Sequence, residues 1–121
     1  MNEQRRILII EDDPNISDFV TMALEDEGYY VASAADGAAA LDLIAEQPPA
    51  LILLDMRMPG MDGATFATTY HQTPSPHAPI IVLTASRNID DAAMVTQAHG
   101  TLAKPFDLRD LMALVEQHVA T

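Results

Sequence analysis

Residues 51–63 read LILLDMRMPGMDG, and the order of residue types within them decides the fold. Leu51 to Leu54 is a short, continuous apolar run of the kind a strand shows when it is buried on both faces. It drives straight into a carboxylate, Asp55, after which Met58, Pro59 and Gly60 punctuate a loop. Asp62 and Gly63 then open the next segment. A buried strand that ends on an acid, with a turn behind it, brings that acid to the rim of a sheet. There it either meets a ligand or merely stops the strand by bonding nearby amides, as aspartate often does. What the rest of the chain brings to Asp55 separates the two.

Working outward, Arg6–Ile10 is an apolar, β-branched first strand, and it too ends in acids: Glu11, Asp12 and Asp13. Asp13–Pro14 reads as a helix cap followed by proline at the first helical position. Ile16, Phe19, Val20, Ala23 and Leu24 then follow the spacing of a core-facing helix that Gly28 closes. Tyr29–Ala34 alternates as a short strand. Asp36–Gly37 opens a second helix with Ala40, Leu41, Ile44 and Ala45 on one face, and Pro48–Pro49 stops it. Beyond the Leu51 strand, Asp62 caps a third helix with Phe66, Ala67 and Tyr70 inward. Thr73–Pro79 carries three prolines and no period, which predicts a loop. Ile80–Leu83 is a further buried strand ending at Thr84. A weakly patterned helix is predicted over Ile89–Ala98, then a brief strand, Thr101–Ala103, running into Lys104–Pro105. Asp107 caps the last helix, whose Leu108, Leu111, Met112, Val115 and Val119 face inward. Five strands alternating with five helices on two faces predict an α/β domain with a doubly wound parallel sheet.

The 121 residues make one domain by length. Apolar residues are 49% and charged residues 20%, ordinary globular composition. No apolar run approaches a membrane span, and the absence of cysteine excludes disulfides and thiolate metal sites. A formal charge of −12 leaves no basic footprint for direct nucleic-acid binding, and suits a cation site or a basic partner. Cytoplasmic placement is the expectation from this composition.

In a doubly wound sheet, ligands bind beyond the carboxyl ends of the strands where the strand order reverses. For the order 2-1-3-4-5 that crevice has Glu11 and Asp12 at one lip and Asp55 at the other, with Thr84 and Lys104 ending strands four and five. Three carboxylates this close raise one another's pKa unless a cation sits among them. An all-oxygen set suits magnesium better than zinc or copper. Two acids can hold the ion while the third attacks, since aspartate is a covalent nucleophile for phosphoryl groups. Phosphoryl transfer needs positive charge on the equatorial oxygens more than acid–base chemistry. Lys104 offers a point charge and Thr84 a hydroxyl donor.

These residues carry a resemblance. ILIIEDDP, LILLDMRMPGMDG, IIVLTAS and AKPF, in this order and spacing, resemble a response-regulator receiver domain of two-component signalling over essentially the whole chain. The resemblance implies a CheY-like, flavodoxin-like fold and a phosphoacceptor at Asp55. It implies Glu11, Asp12, Asp55 and the backbone carbonyl of Arg57 as ligands of Mg²⁺, with Mn²⁺ an acceptable substitute. Thr84 and Lys104 would contact the phosphoryl group, the Lys104–Pro105 bond would be cis, and Asp13 would be a cap rather than a ligand. A sensor histidine kinase or histidine phosphotransfer protein would be the donor, and a downstream protein or output domain the recipient of the signal. The expected state is a monomer or a weak, phosphorylation-dependent dimer.

The family pattern is broken at two places. Receivers usually carry an aromatic three residues before the lysine, paired with Thr84 in switching, and here Thr101 stands there. The usual Gly-Ala pair is Gln97–Ala98. Phosphorylation is therefore expected to couple only loosely to the far side of the domain. Two other classes use similar residues. A haloacid-dehalogenase-type phosphatase places a second aspartate two residues after its nucleophile, where this chain has Arg57. A degenerate receiver that only binds partners would lack an acid, the threonine or the lysine, and none is missing. Met56, Met58 and Met61 are read as loop packing, and His71, His77, His99 and His118 as surface residues without ligand spacing. The chain is expected to be a single receiver domain, residues 1–121, either standing alone or cut from a longer protein.

Overall fold

A computed structural model of the chain describes residues 6–56, 60–74, 76–84 and 98–119. Its strands are β1 (Arg6–Ile10), β2 (Tyr30–Ala34), β3 (Leu51–Asp55), β4 (Ile80–Thr84) and β5 (Gly100–Ala103). They pair in parallel in the order β2-β1-β3-β4-β5, the predicted topology. Four helices lie among the described residues: α1 (Pro14–Asp26), α2 (Gly37–Glu46), α3 (Gly63–His71) and α4 (Leu108–Val119). The sequence predicts five. The helix expected over Ile89–Ala98 falls outside the described residues, apart from Ala98, which is not helical.

The unbroken apolar strands are explained by how they alternate. Leu8, Ile10, Ile52, Leu54, Ile80 and Val82 point to one face, where Ala40 of α2 and Phe66, Ala67 and Tyr70 of α3 cover them. Ile7, Ile9, Leu51, Leu53, Ile81 and Leu83 point to the other, under Val20 and Leu24 of α1 and Leu111, Val115 and Val119 of α4. Each fully buried side chain of this size contributes roughly 1.5–3 kcal/mol, so the sheet is clamped from both sides.

All four helices start on an aspartate. Asp13 accepts the Asn15 N–H at 2.9 Å, Asp36 that of Ala39 at 2.8 Å, Asp62 that of Thr65 at 2.8 Å and Asp107 that of Arg109 at 2.8 Å. The Thr65 N–H also holds the Asp62 carboxyl below its ordinary pKa. Four acids are thus spent on caps worth ~1 kcal/mol each, and they account for part of the negative charge.

One core assignment is corrected. Phe19 is 54% exposed, and the buried stripe of α1 runs through Ser17, Val20 and Leu24. At 3.6 residues per turn Phe19 falls on the far flank of that stripe. The small Ser17 side chain is buried instead. A second correction concerns the histidines. Only His99 is exposed; His71, His77 and His118 are half-buried and gather with it at the amino-terminal end of the sheet.

Candidate functional site

The register of the strands assembles the site. Ile10 pairs with Leu54, so Glu11 and Asp12 leave β1 beside Asp55. Asp55 pairs with Leu83, one residue before Thr84, and Thr84 pairs with Ala103, one residue before Lys104. The strand ends are pinned by the Glu11 N–H on the Ala34 carbonyl at 3.0 Å and the Lys104 N–H on the Thr84 carbonyl at 2.8 Å. Every predicted side chain of the crevice therefore reaches one rim. Glu11, Asp55 and Thr84 are buried there, Lys104 is half-buried and Asp12 faces solvent. The Lys104–Pro105 bond is cis. Thr101 lies half-buried on β5 opposite Val82. Arg57 lies outside the described residues.

Carboxylate oxygens from Glu11, Asp12 and Asp55 all lie within 4.8 Å of one another. Among the described residues, the cation beside them is Lys104, whose Nζ stands 2.6 Å from Glu11 Oε1 and 3.3 Å from Asp55 Oδ1. The sequence pointed Lys104 at an incoming group; its bond to Glu11 was not foreseen. The signal was present all the same, because buried acids of one sign require a counter-charge. Glu11 Oε2 also accepts the Asp13 N–H at 3.3 Å. Burial pushes the Glu11 carboxyl up to about 7, helped by the hydrogen bond and charge of Asp55 and opposed by Lys104. For Lys104, burial works against the charge. The Glu11 hydrogen bond and the two carboxylates outweigh it, and the ammonium ends above its ordinary pKa.

Gly63 matters to this rim in a way the sequence alone did not reveal. Its N–H donates to the Met56 carbonyl at 3.2 Å, which ties the start of α3 to the end of β3. A Cβ at Gly63 would come within 2.9 Å of Met56 Cα and 3.1 Å of the Asp55 carbonyl oxygen, both backbone atoms. The three atoms nearest a Cβ at Gly37 all belong to the flexible Met61 side chain, its Sδ at 2.6 Å. Gly63→Ala is thus expected to cost roughly 1–3 kcal/mol, as overpacking does, and to displace the Asp55 end of β3. Gly37→Ala should cost clearly less. Urea unfolding of the two variants checks this, and equal losses would contradict the backbone contact.

The donor set is all oxygen, acidic and half open to water, which fits a hard divalent cation such as Mg²⁺. Asp12 is one of the three donors, whereas Asp13 is occupied as the cap of α1. Asp12→Ala should therefore weaken Mg²⁺ binding more than Asp13→Ala, which costs ~1 kcal/mol of stability instead. Titration of both variants with Mg²⁺ tests it; equal affinity losses would mean the register is wrong.

A family model described as the response regulator receiver domain matches residues 7–116. The chain belongs to that family. As a receiver domain of two-component response regulators it is 39% identical to the DNA-binding dual master transcriptional regulator RpaA of Synechocystis over 113 residues, 91% of this chain and 47% of that protein. It is 33% identical to the DNA-binding response regulator MtrA of Mycolicibacterium smegmatis over 114 residues, 93% of this chain and 49% of that one. The receiver thus spans about half the length of these curated relatives. Among solved structures it resembles the receiver domain of sensor histidine kinase PA1611 from Pseudomonas aeruginosa, with TM-score 0.87 and 28% identity over 97% of this chain and 98% of that one. That structure has a magnesium ion coordinated in its active-site cleft.

Proposed function

We propose that Asp55 is the phosphoacceptor of this receiver. One observation carries the reading: Asp55 ends a buried strand with a lysine ammonium 3.3 Å from its Oδ1 and the Glu11 and Asp12 oxygens within 4.8 Å. An Asp55 oxygen attacks phosphorus in line, and the bond from phosphorus to the donor breaks as the leaving group takes its electron pair. With a phosphohistidine on a sensor kinase or a phosphotransfer protein as donor, that broken bond is phosphorus–nitrogen. Glu11, Asp12 and Asp55, with the Arg57 carbonyl, are the residues that would hold Mg²⁺ (or Mn²⁺). The ion, when bound, supplies positive charge to the phosphoryl oxygens. Lys104 keeps its ammonium beside the same oxygens as the Asp55 charge is transferred to them. The Thr84 hydroxyl, at the end of the neighbouring strand, donates a hydrogen bond to one of them. Glu11 holds Lys104 in place throughout.

We read residues 1–121 as one receiver unit that catalyses only its own phosphorylation and dephosphorylation. It would pass its state to a downstream protein or an output domain, and Thr101 in place of an aromatic would loosen that coupling. The acidity of this unit argues against its binding DNA itself. Incubation with acetyl phosphate tests the proposal by intact mass. One phosphoryl group should be gained with Mg²⁺ and none after chelation. No adduct in the presence of Mg²⁺ would overturn it, and steady hydrolysis of many phosphoesters would point to a phosphatase.

A further inference from the structure

The four histidines of the chain, His71, His77, His99 and His118, collect at the end of the sheet opposite Asp55. His71 closes α3, His77 lies in the loop before β4, His99 precedes β5 and His118 is on the last turn of α4. The His71 and His77 rings meet edge to face at 5.4 Å, and His99 and His118 at 6.4 Å. Tyr70 packs on both members of the first pair, at 5.7 Å from His71 and 4.9 Å from His77.

Three of the rings are tied to the backbone four residues earlier: His71 to the Ala67 carbonyl, His77 to Thr73 at 2.7 Å and His118 to Leu114 at 2.9 Å. A carbonyl only accepts, so the bonded ring nitrogen carries the proton and the other is a bare lone pair while the ring is neutral. The loop that bears His77 is stitched to α3 by the same residues. The Tyr70 hydroxyl accepts the Ala78 N–H at 2.6 Å, and the Thr73 hydroxyl donates to the Tyr70 carbonyl at 2.6 Å. A groove of about 840 Å³ opens beside the loop. Leu41, Ile44 and Ala45 line it from α2; among the described residues that line it the titratable ones are Tyr70, His77 and His118, with no carboxylate, lysine or arginine.

We propose that this cluster is a proton-sensitive latch, in which mild acidification charges His71 against the His77 ring and releases the segment around Ala78 from the end of α3. Edge-to-face packing suits neutral rings, whereas a charge on the pair weakens it, and the described residues that line the groove beside His77 include no carboxylate to answer that charge. In agreement, burial and the neighbouring His77 and His99 hold His71 below the ordinary imidazole pKa, and only the Ala67 carbonyl pulls the other way. The sign follows. The unfolded chain takes up the proton first, so the latch is fully closed above the ordinary value of 6.5 and weakens as pH falls below it.

Histidine-ring NMR titration of the Mg²⁺-loaded protein, with hydrogen-exchange protection of the Ala78 amide at each pH, tests the latch. His71 should titrate below the ordinary imidazole value in the native chain, and its midpoint should rise in His77→Gln. Protection of Ala78 should fall on acidification in the native chain and change less in the His71→Gln/His77→Gln double variant. A native His71 midpoint at or above the ordinary value overturns the proposal, even should the variants not fold. So does a midpoint unmoved by His77→Gln, or Ala78 protection that is constant with pH.

Discussion

Asp55→Asn should abolish the phosphoryl adduct completely while leaving the fold intact. The amide is nearly isosteric with the carboxylate, but its oxygen and nitrogen do not attack phosphorus, and the acid cluster loses one of its three charges. The rest of the rim has reason to stay in place. Lys104 keeps its 2.6 Å bond to Glu11, and the strand end remains held by the Gly63 N–H on the Met56 carbonyl. The substitution also removes one of the acids that press on Glu11, so thermal stability without metal should not fall. Intact mass after acetyl phosphate treatment, beside a melting curve, separates lost chemistry from lost structure. An adduct of native size on a folded variant would move the acceptor to another residue.

Much of the fold was legible because it is written in short-range patterns. The bounds of β1 and β3 follow from apolar runs ending on acids, and the four caps from aspartates ahead of each helix. The site was legible for the same reason: strand-end residues of a doubly wound sheet must share a rim. Three things were not. Phe19 fits a helical period, yet helix–sheet contact is narrower than the period permits, and the burial went to Ser17. The Lys104–Glu11 bond spans 93 positions and depends on side-chain reach, which no local pattern encodes. The histidines lie on four separate segments, and only the folded topology shows that their rings meet.

Glu11→Gln should make the metal-free protein more stable above pH 7. Glu11 is buried, and that burial, with Asp55 beside it, pushes its carboxyl up to about 7 from an ordinary value of 4.5. A group whose folded pKa is raised binds its proton more tightly in the native state. Its stabilising contribution is fully present below 4.5 and is lost as pH rises through about 7. At pH 8 the native chain therefore carries an ionised buried acid that the unfolded chain would solvate. One pKa unit corresponds to about 1.4 kcal/mol, so that cost reaches up to about 3 kcal/mol. Glutamine keeps an oxygen for the Lys104 ammonium and carries no charge. Its advantage should be largest at pH 8 and shrink as the pH is lowered through 7, vanishing below 4.5, where the native acid is protonated in both states. Saturating Mg²⁺ should reverse the order, because ligand binding stabilises the native chain while the variant has lost a charged ligand. Urea unfolding at pH 8 and pH 5, with chelator and with Mg²⁺, reads all four corners. A variant less stable than the native chain at pH 8 without metal would mean that the Lys104 bond, rather than burial of charge, governs Glu11.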